Sequence, residues 1–387
     1  MSCSRLVWLT HLQAPVLKRR ISPMLNTTHA MITATTPGIS YPFSLTQTAG
    51  GPDLKIPAQT RSHRTRFRAS ATMAVAAVTA AFHWCFTAAP VAEAESGKQL
   101  QIQYCAVNLA FPFQAFIARE AEDEGKRLGV TIHVTDGTGS SPKQSSDLRN
   151  GITQGVDGIV LNANDVNAII PAVNEVIAAK IPIVTIDSAI GNTSKPVPYF
   201  GPDNVVGGTK MAQYVIEHDS NGAKIVLLTG QPGSGPSIER SEGILKTLKA
   251  ADPKYQLVAN QTANWSRSQG LTVTQNILTS LGTPPDAILS CNDDMALGAL
   301  AALRQSGVPK GKVMVIGYDA LPETLKLIRD GEVTATLDQL PGQQVRHAID
   351  ALVDHLRDNK PLEGVKLDPV LIDETNLEQA GRFKELK

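Results

Sequence analysis

The chain has 387 residues, 42% of them hydrophobic and 5% aromatic, which is enough for two packed domains and suits Ala/Val/Ile/Leu-rich α/β cores rather than β-sandwiches. Its formal net charge is zero, yet Met1 to Ala94 hold nine Lys and Arg against two acids, which leaves 27 basic and 34 acidic residues, a charge of −7, in the rest. A mildly acidic body argues against a nucleic-acid surface, and a single giant core is disfavoured at this length.

Residues 1–60 mix Pro, Thr, Ser and Gly without a sustained apolar period. RSHRTRFR at 61–68 is followed by an Ala-rich apolar stretch and then by Ala92-Glu93-Ala94. That order of basic region, apolar region and small-x-small site is the layout of a secretory signal peptide. Residues 1–94 are therefore read as a leader, with cleavage after Ala94, export to the periplasm, and a start codon placed too early. An uncleaved anchor is one alternative, although the stretch is only modestly apolar against the ~20 strongly apolar residues of a span. An organelle transit peptide is another, since the leader is rich in Arg and Ser/Thr. Cys85 follows His83 and Trp84 rather than small residues, so there is no lipoprotein box.

From Gln101 onward one unit repeats: a short apolar run, a polar or Gly-containing turn, and a helical period. The runs are QIQYCAV, VTIHV, GIVL, IPIVTI, KIVLLT, YQLVAN, DAILS, VMVIG and VTATL. Between them lie segments with apolar positions at i, i+3 and i+4, such as Phe113, Phe116, Ile117, Ala121 and Leu128. This alternation predicts an α/β fold of parallel sheets covered by helices on both faces. The units are too many for one open sheet, and a short strand VPYF meets a Gly/Pro turn near Pro202, so the reading divides there into two Rossmann-like lobes.

In open parallel sheets, ligands bind outside the carboxyl ends of the strands, where loops converge and helix N-termini offer N–H groups. Asn162 follows GIVL, Asp187 follows IPIVTI, Asn292 follows DAILSC, Asp319 follows VMVIGY and Gln339 follows VTATLD. Two carboxylates and several amides suit a neutral polyhydroxylated ligand, because a carboxylate accepts from adjacent hydroxyls and an amide both donates and accepts. Arg240, at the start of a predicted helix, is the cation that would offset the buried carboxylates. Phe111, Phe113, Trp265 and Tyr318 are candidates to cover the C–H faces of a sugar ring. A bland reading stands beside each of these: an Asn or Asp after a strand is commonly a helix cap, with Asp293 or Asp294 the expected cap of the next helix, and Phe113 and Trp265 taken singly fit a core.

Cys105 and Cys291 sit in or at the end of apolar runs and are read as small core or cleft-lining thiols rather than a disulfide. With no CxxC and no His at ligand spacing, no metal or cofactor is predicted. GQPGSGP lacks the Lys-Ser/Thr of a phosphate-binding loop, and Asp187 and Asp319 have no nucleophile or His beside them, so an enzyme is not expected.

The stretches FGPDNVVGGTKMA (200–212), ERSEG (239–243), NDDMALGALAAL (292–303), VMVIGYDALPE (313–323) and TATLDQLPGQQ (334–344) resemble the periplasmic sugar-binding proteins of ABC importers, of the ribose-binding-protein type. The resemblance runs from about Gln101 to Asp373. It implies that the chain crosses between lobes near Leu340 and again near Pro369, giving one lobe of 98–201 plus 341–368 and another of 202–340 plus 369–387, joined by a multi-segment hinge. It also implies a ligand set of Phe113, Asn162, Asp187, Arg240, Trp265, Asn292, Tyr318, Asp319 and Gln339, a monomer that closes on its ligand, and a permease, chemoreceptor or sensor kinase as partner. Three departures stand out. Phe111 takes the place of an Asn, Gln114 that of a second Phe, and Ser188 that of the Arg after the first-lobe Asp. Loss of that Arg removes a fixed bidentate donor and points to another pentose, a hexose or a polyol. The effector domain of a sugar-responsive repressor shares the fold, but would need a helix-turn-helix where the Ala-rich segment lies.

Overall fold

The computed structural model describes residues 98–386, so the leader and its signal-peptide reading lie outside the described residues. The first strands and helices are β1 (Gln101–Ala106), α1 (Pro112–Leu128), β2 (Thr131–Asp136), α2 (Ser141–Gln154), β3 (Gly158–Leu161), α3 (Ile170–Ala178), β4 (Ile183–Ile186) and β5 (Tyr199–Pro202). There follow α4 (Asn204–His218), β6 (Lys224–Thr229), α5 (Gly235–Ala250), β7 (Gln256–Thr262), α6 (Arg267–Leu281), β8 (Ala287–Ser290), α7 (Asp293–Gln305), β9 (Met314–Tyr318), α8 (Pro322–Arg329) and β10 (Ala335–Asp338). The chain ends with α9 (Pro341–Asp358), β11 (Val365–Leu367), β12 (Val370–Ile372) and two short 3-10 turns.

Two six-stranded sheets result, in the orders β11-β5-β4-β3-β1-β2 and β12-β10-β9-β8-β6-β7. Every pairing is parallel except that of β12 with β10. GIVL, IVTI and AILS show no polar alternation and are buried along their whole length, as strands covered by helices on both faces must be. Helix α1 starts at Pro112, whose missing N–H costs nothing in a first turn, and stops at Gly129, whose φ of 67° closes the last turn.

The chain crosses between the sheets three times: after β5, after β10, and at Asp368-Pro369 between β11 and β12. The second crossing turns on Leu340, held at φ 57°. Beyond it, Val345, Ala348, Ile349, Leu352 and Val353 of α9 pack with Ile102, Phe116, Ile117 and Val160 of the first lobe. A separate core built on Ile225, Leu227, Ile288, Leu289 and Ile316 fills the second. Strands β11 and β12 are not among the predicted runs; three residues each, split by Asp-Pro, they are too short to show a period. In each sheet the strand order reverses beside a central strand, at β1/β3 and at β6/β8, and a crevice opens at such a point.

Candidate functional site

A cavity, partly continuous with solvent, lies between the carboxyl ends of the two sheets. Eight of the ten sequence candidates line it: Phe111, Phe113 and Asp187 from the first lobe, and Arg240, Trp265, Asn292, Asp319 and Gln339 from the second. Asn162 and Tyr318 do not.

Asn162 is fully buried one layer behind the wall. It donates through Nδ2 to Asp187 Oδ2 at 3.2 Å and to Gln114 Oε1 at 3.1 Å, so it aims two wall residues rather than facing the cavity. Asp187 follows β4 in the left-handed region, φ 58°, with its carbonyl accepting from Tyr199 Oη at 3.2 Å. Its Oδ1 is buried and has no hydrogen-bond partner. Across the cavity, Asp319 follows β9 at φ 122° and accepts through Oδ1 from Gln339 Nε2 at 2.6 Å. Trp265 is also at positive φ, 63°. Strained backbone at three wall residues is a cost that the surrounding structure must offset, and such strain clusters at functional sites.

Arg240 sits between the two carboxylates. It is 2% exposed, with nitrogens 3.8 Å from Asp187 Oδ1 and 3.9 Å from Asp319 Oδ1. Nε donates to Asn204 Oδ1 at 2.8 Å, Nη1 to the Cys291 carbonyl at 2.8 Å and Nη2 to Gln339 Oε1 at 3.2 Å. Its guanidinium stacks on the Tyr318 ring, 3.6 Å from the centroid. This corrects the expectation that Tyr318 covers a ligand: the ring is buried beneath Arg240, and a cation over an aromatic face is attracted by its quadrupole.

The expected helix cap is corrected as well. Asn292 itself caps α7, its Oδ1 accepting from Met295 N at 2.9 Å, while its Nδ2 donates to the Trp265 carbonyl at 3.3 Å. Capping and lining are thus done by one residue. Asp293 turns away into the protein, where it accepts from Leu321 N and Thr336 Oγ1, both at 2.8 Å. Asp294 lines the cavity and is held by Arg267.

Burial dominates the electrostatics. It pushes the carboxyls of Asp187 and Asp319 upward, against the opposing pull of Arg240, and for Asp319 the neighbouring Asp293, Asp187 and Asp294 push further. Burial also works against the Arg240 charge, but Tyr318, Asp319 and Asp187 outweigh it and raise its pKa. Asp293 is raised to about 7, by burial first, with the bonds from Leu321 and Thr336 pulling the other way. A carboxyl that holds its proton more tightly when folded lowers stability as pH rises from its unfolded value near 4 to its folded one. Relative to Asp293→Asn, the parent protein is expected to lose up to about 1.4 kcal/mol per pH unit between pH 4 and 7. Urea unfolding of both across that range checks it, and a constant difference would show that Asp293 titrates normally.

The sequence reading did not assign Gln114, Asn164, Ser188, Ser234, Pro236 or Asp294 to the wall, nor Asn204 behind Arg240. Gln114 and Ser188 carried a signal as departures from the resembled pattern. Asn204 carried none, because it sits inside α4 and meets Arg240 only through tertiary packing.

Two doubly wound sheets with a polar cavity between their facing strand ends define a two-lobed binding protein. Residues 105–360 match the model of the periplasmic binding protein domain, and the chain belongs to that family. It is of the ribose-binding-protein type found with ABC importers. The ribose import binding protein RbsB of Bacillus subtilis (strain 168) is 35% identical over 264 residues, 68% of this chain and 84% of that protein. The structure of the Caulobacter myo-inositol binding protein bound to myo-inositol is similar with 42% identity and a TM-score of 0.73, covering 75% of this chain and 98% of that one. A periplasmic solute binding protein from Actinobacillus succinogenes with bound D-allose shows 30% identity and a TM-score of 0.67, covering 73% and 100%.

Proposed function

We propose that the protein captures a neutral ring polyol in the periplasm, with myo-inositol the first candidate, and delivers it to the permease of an ABC importer. The observation that carries this reading is the pair of buried carboxylates, Asp187 and Asp319, on opposite walls of one cavity with Arg240 between them. A hydroxyl donated to the unpartnered Asp187 Oδ1 would satisfy a buried acceptor, and a hydrogen bond to a charged group contributes about 1.5–3 kcal/mol. Gln114 accepts from Asn162 through Oε1, which leaves its amide N–H groups for a ligand. Ser188 replaces a bulkier cation with a small hydroxyl, making room for a ring substituted at every carbon. The likeness to proteins solved with myo-inositol and D-allose supports the same class.

In this reading the walls belong to different lobes, so the ligand binds the apposed form better than the open one and drives closure about the three crossings. A swing from 1:99 to 99:1 needs about 5.5 kcal/mol of differential affinity, within reach of a few charge-assisted bonds made only on closing. No covalent step is involved. The test is a thermal-shift screen of myo-inositol, D-allose, D-ribose and xylitol. A ligand at 100 times its Kd stabilises by about 2.7 kcal/mol, and for a protein of this size that moves the melting temperature by several degrees. If none of them shifts it at millimolar concentration, the reading is wrong.

A further inference from the structure

We propose that Asp165, Val166 and Gly233 form a latch between the lobes that holds the apposed form closed without touching the ligand. None of the three lines the cavity. Asp165 and Val166 lie in the loop from β3 to α3 of the first lobe, and Gly233 in the loop from β6 to α5 of the second. Val166 N–H donates to the Gly233 carbonyl at 3.0 Å, a backbone bond spanning the two lobes.

The loops are shaped for this meeting. Asp165 accepts through Oδ1 from Asn167 N at 2.8 Å and Ala168 N at 2.9 Å, so its own turn fixes the carboxylate. Its other oxygen lies against Gly233 so closely that a Cβ there would collide with it. Gly233 is also at φ 85°, a conformation glycine adopts without the penalty a side chain brings. Two residues on, a Cβ at Gly235 would stand 3.1 Å from Val166 Cγ1, so the second-lobe loop is small where the first-lobe loop presses on it.

Position gives the bond its effect. Strands β3 and β6 stand inside their sheets, away from the β11–β5 end of the first and the β12–β10 end of the second, where the chain crosses. A contact made only when the lobes are together favours the closed state by its full free energy, and it acts on ligand escape more than on entry. The latch therefore sets residence time, while the wall residues set which ligand is held.

The latch rests on the proposed closure around a polyol, and the experiment separates the two. Titration calorimetry and stopped-flow binding with myo-inositol, D-allose and D-ribose compare the parent protein with Gly233→Ala, Asp165→Ala and the double variant. Gly233→Ala is expected to raise Kd about tenfold through the dissociation rate, with the association rate within about threefold of the parent. Asp165→Ala in the same chain removes the collision but not the backbone penalty at φ 85°, and is expected to recover part of that loss. Unchanged affinity in Gly233→Ala, or no recovery in the double variant, overturns the latch. An Asp165→Cys/Gly233→Cys pair reads the contact with no ligand present: oxidation is expected to join the two loops, because a Cβ at residue 233 would stand 2.7 Å from Asp165 Cγ, the position a thiol sulfur would take. Failure to cross-link overturns the latch. A cross-link, together with a parent protein that binds none of the three ligands, overturns the polyol reading instead.

Discussion

Replacing Arg240 with methionine is expected to abolish polyol binding and to destabilise the fold by about 3–5 kcal/mol, the cost of removing one member of a buried charge group. Methionine keeps most of the packing on Tyr318 but leaves Asp187 and Asp319 buried without the cation between them. It also strands Asn204 Oδ1 and the Cys291 carbonyl, which accept from Arg240 at 2.8 Å each. The deficit has a pH signature. Burial already raises both carboxyls, with Arg240 the main opposing influence, so its loss raises them further and the folded state holds their protons more tightly. The destabilisation should therefore shrink as pH falls toward the ordinary carboxylate range and widen above neutrality. Urea unfolding at pH 5 and pH 8 with calorimetric titration tests both parts. Equal stability losses at the two pH values would mean that the three charges are not coupled.

Asp319→Ala is expected to weaken polyol binding by about a hundredfold or more, two charge-assisted bonds at about 1.5 kcal/mol each, while the protein stays folded. The contrast with Arg240 follows from sign. Burial disfavours the ionised Asp319 carboxylate, so removing it relieves a cost, and Arg240 keeps Asp187 and three hydrogen bonds. What is lost is the acceptor for Gln339 Nε2, worth about 1 kcal/mol. Because residue 319 is at positive φ, Asp319→Gly serves as the control for backbone strain. Near-parental affinity by calorimetry in either variant would remove Asp319 from the site, and with it the symmetry of the two walls.

The architecture and most of the cavity wall were legible because both depend on local order. Strand runs, helical periods and the polar residue after each run lie within a few positions of one another, and the parallel-sheet rule turns that order into a location. Asp187, Asn292, Asp319 and Gln339 were found in this way. Depth within the wall was not legible. Asn162 and Tyr318 occupy the same sequence context as their neighbours, yet one braces Asp187 from behind and the other lies under Arg240. Which of two adjacent residues faces inward depends on backbone angles after the strand, such as φ 122° at Asp319 and 51° at Ala320, and residue type does not reveal these. Asn204 and the loop pair of Asp165 and Gly233 were invisible for a second reason: they act on partners in other segments, with no period or motif to announce them.

The path of the chain also bears on how the protein is made. The first lobe cannot complete its core until α9 and β11 arrive, and these are translated only after nearly all of the second lobe. Domains built from contiguous sequence can fold as they leave the ribosome, but this one must keep its leading lobe unfinished until α9 and β11 have emerged. A nascent chain that stays threadable for so long suits a family whose members work on the far side of a membrane, and cutting the chain after β10 would leave the amino-terminal lobe without its covering helix.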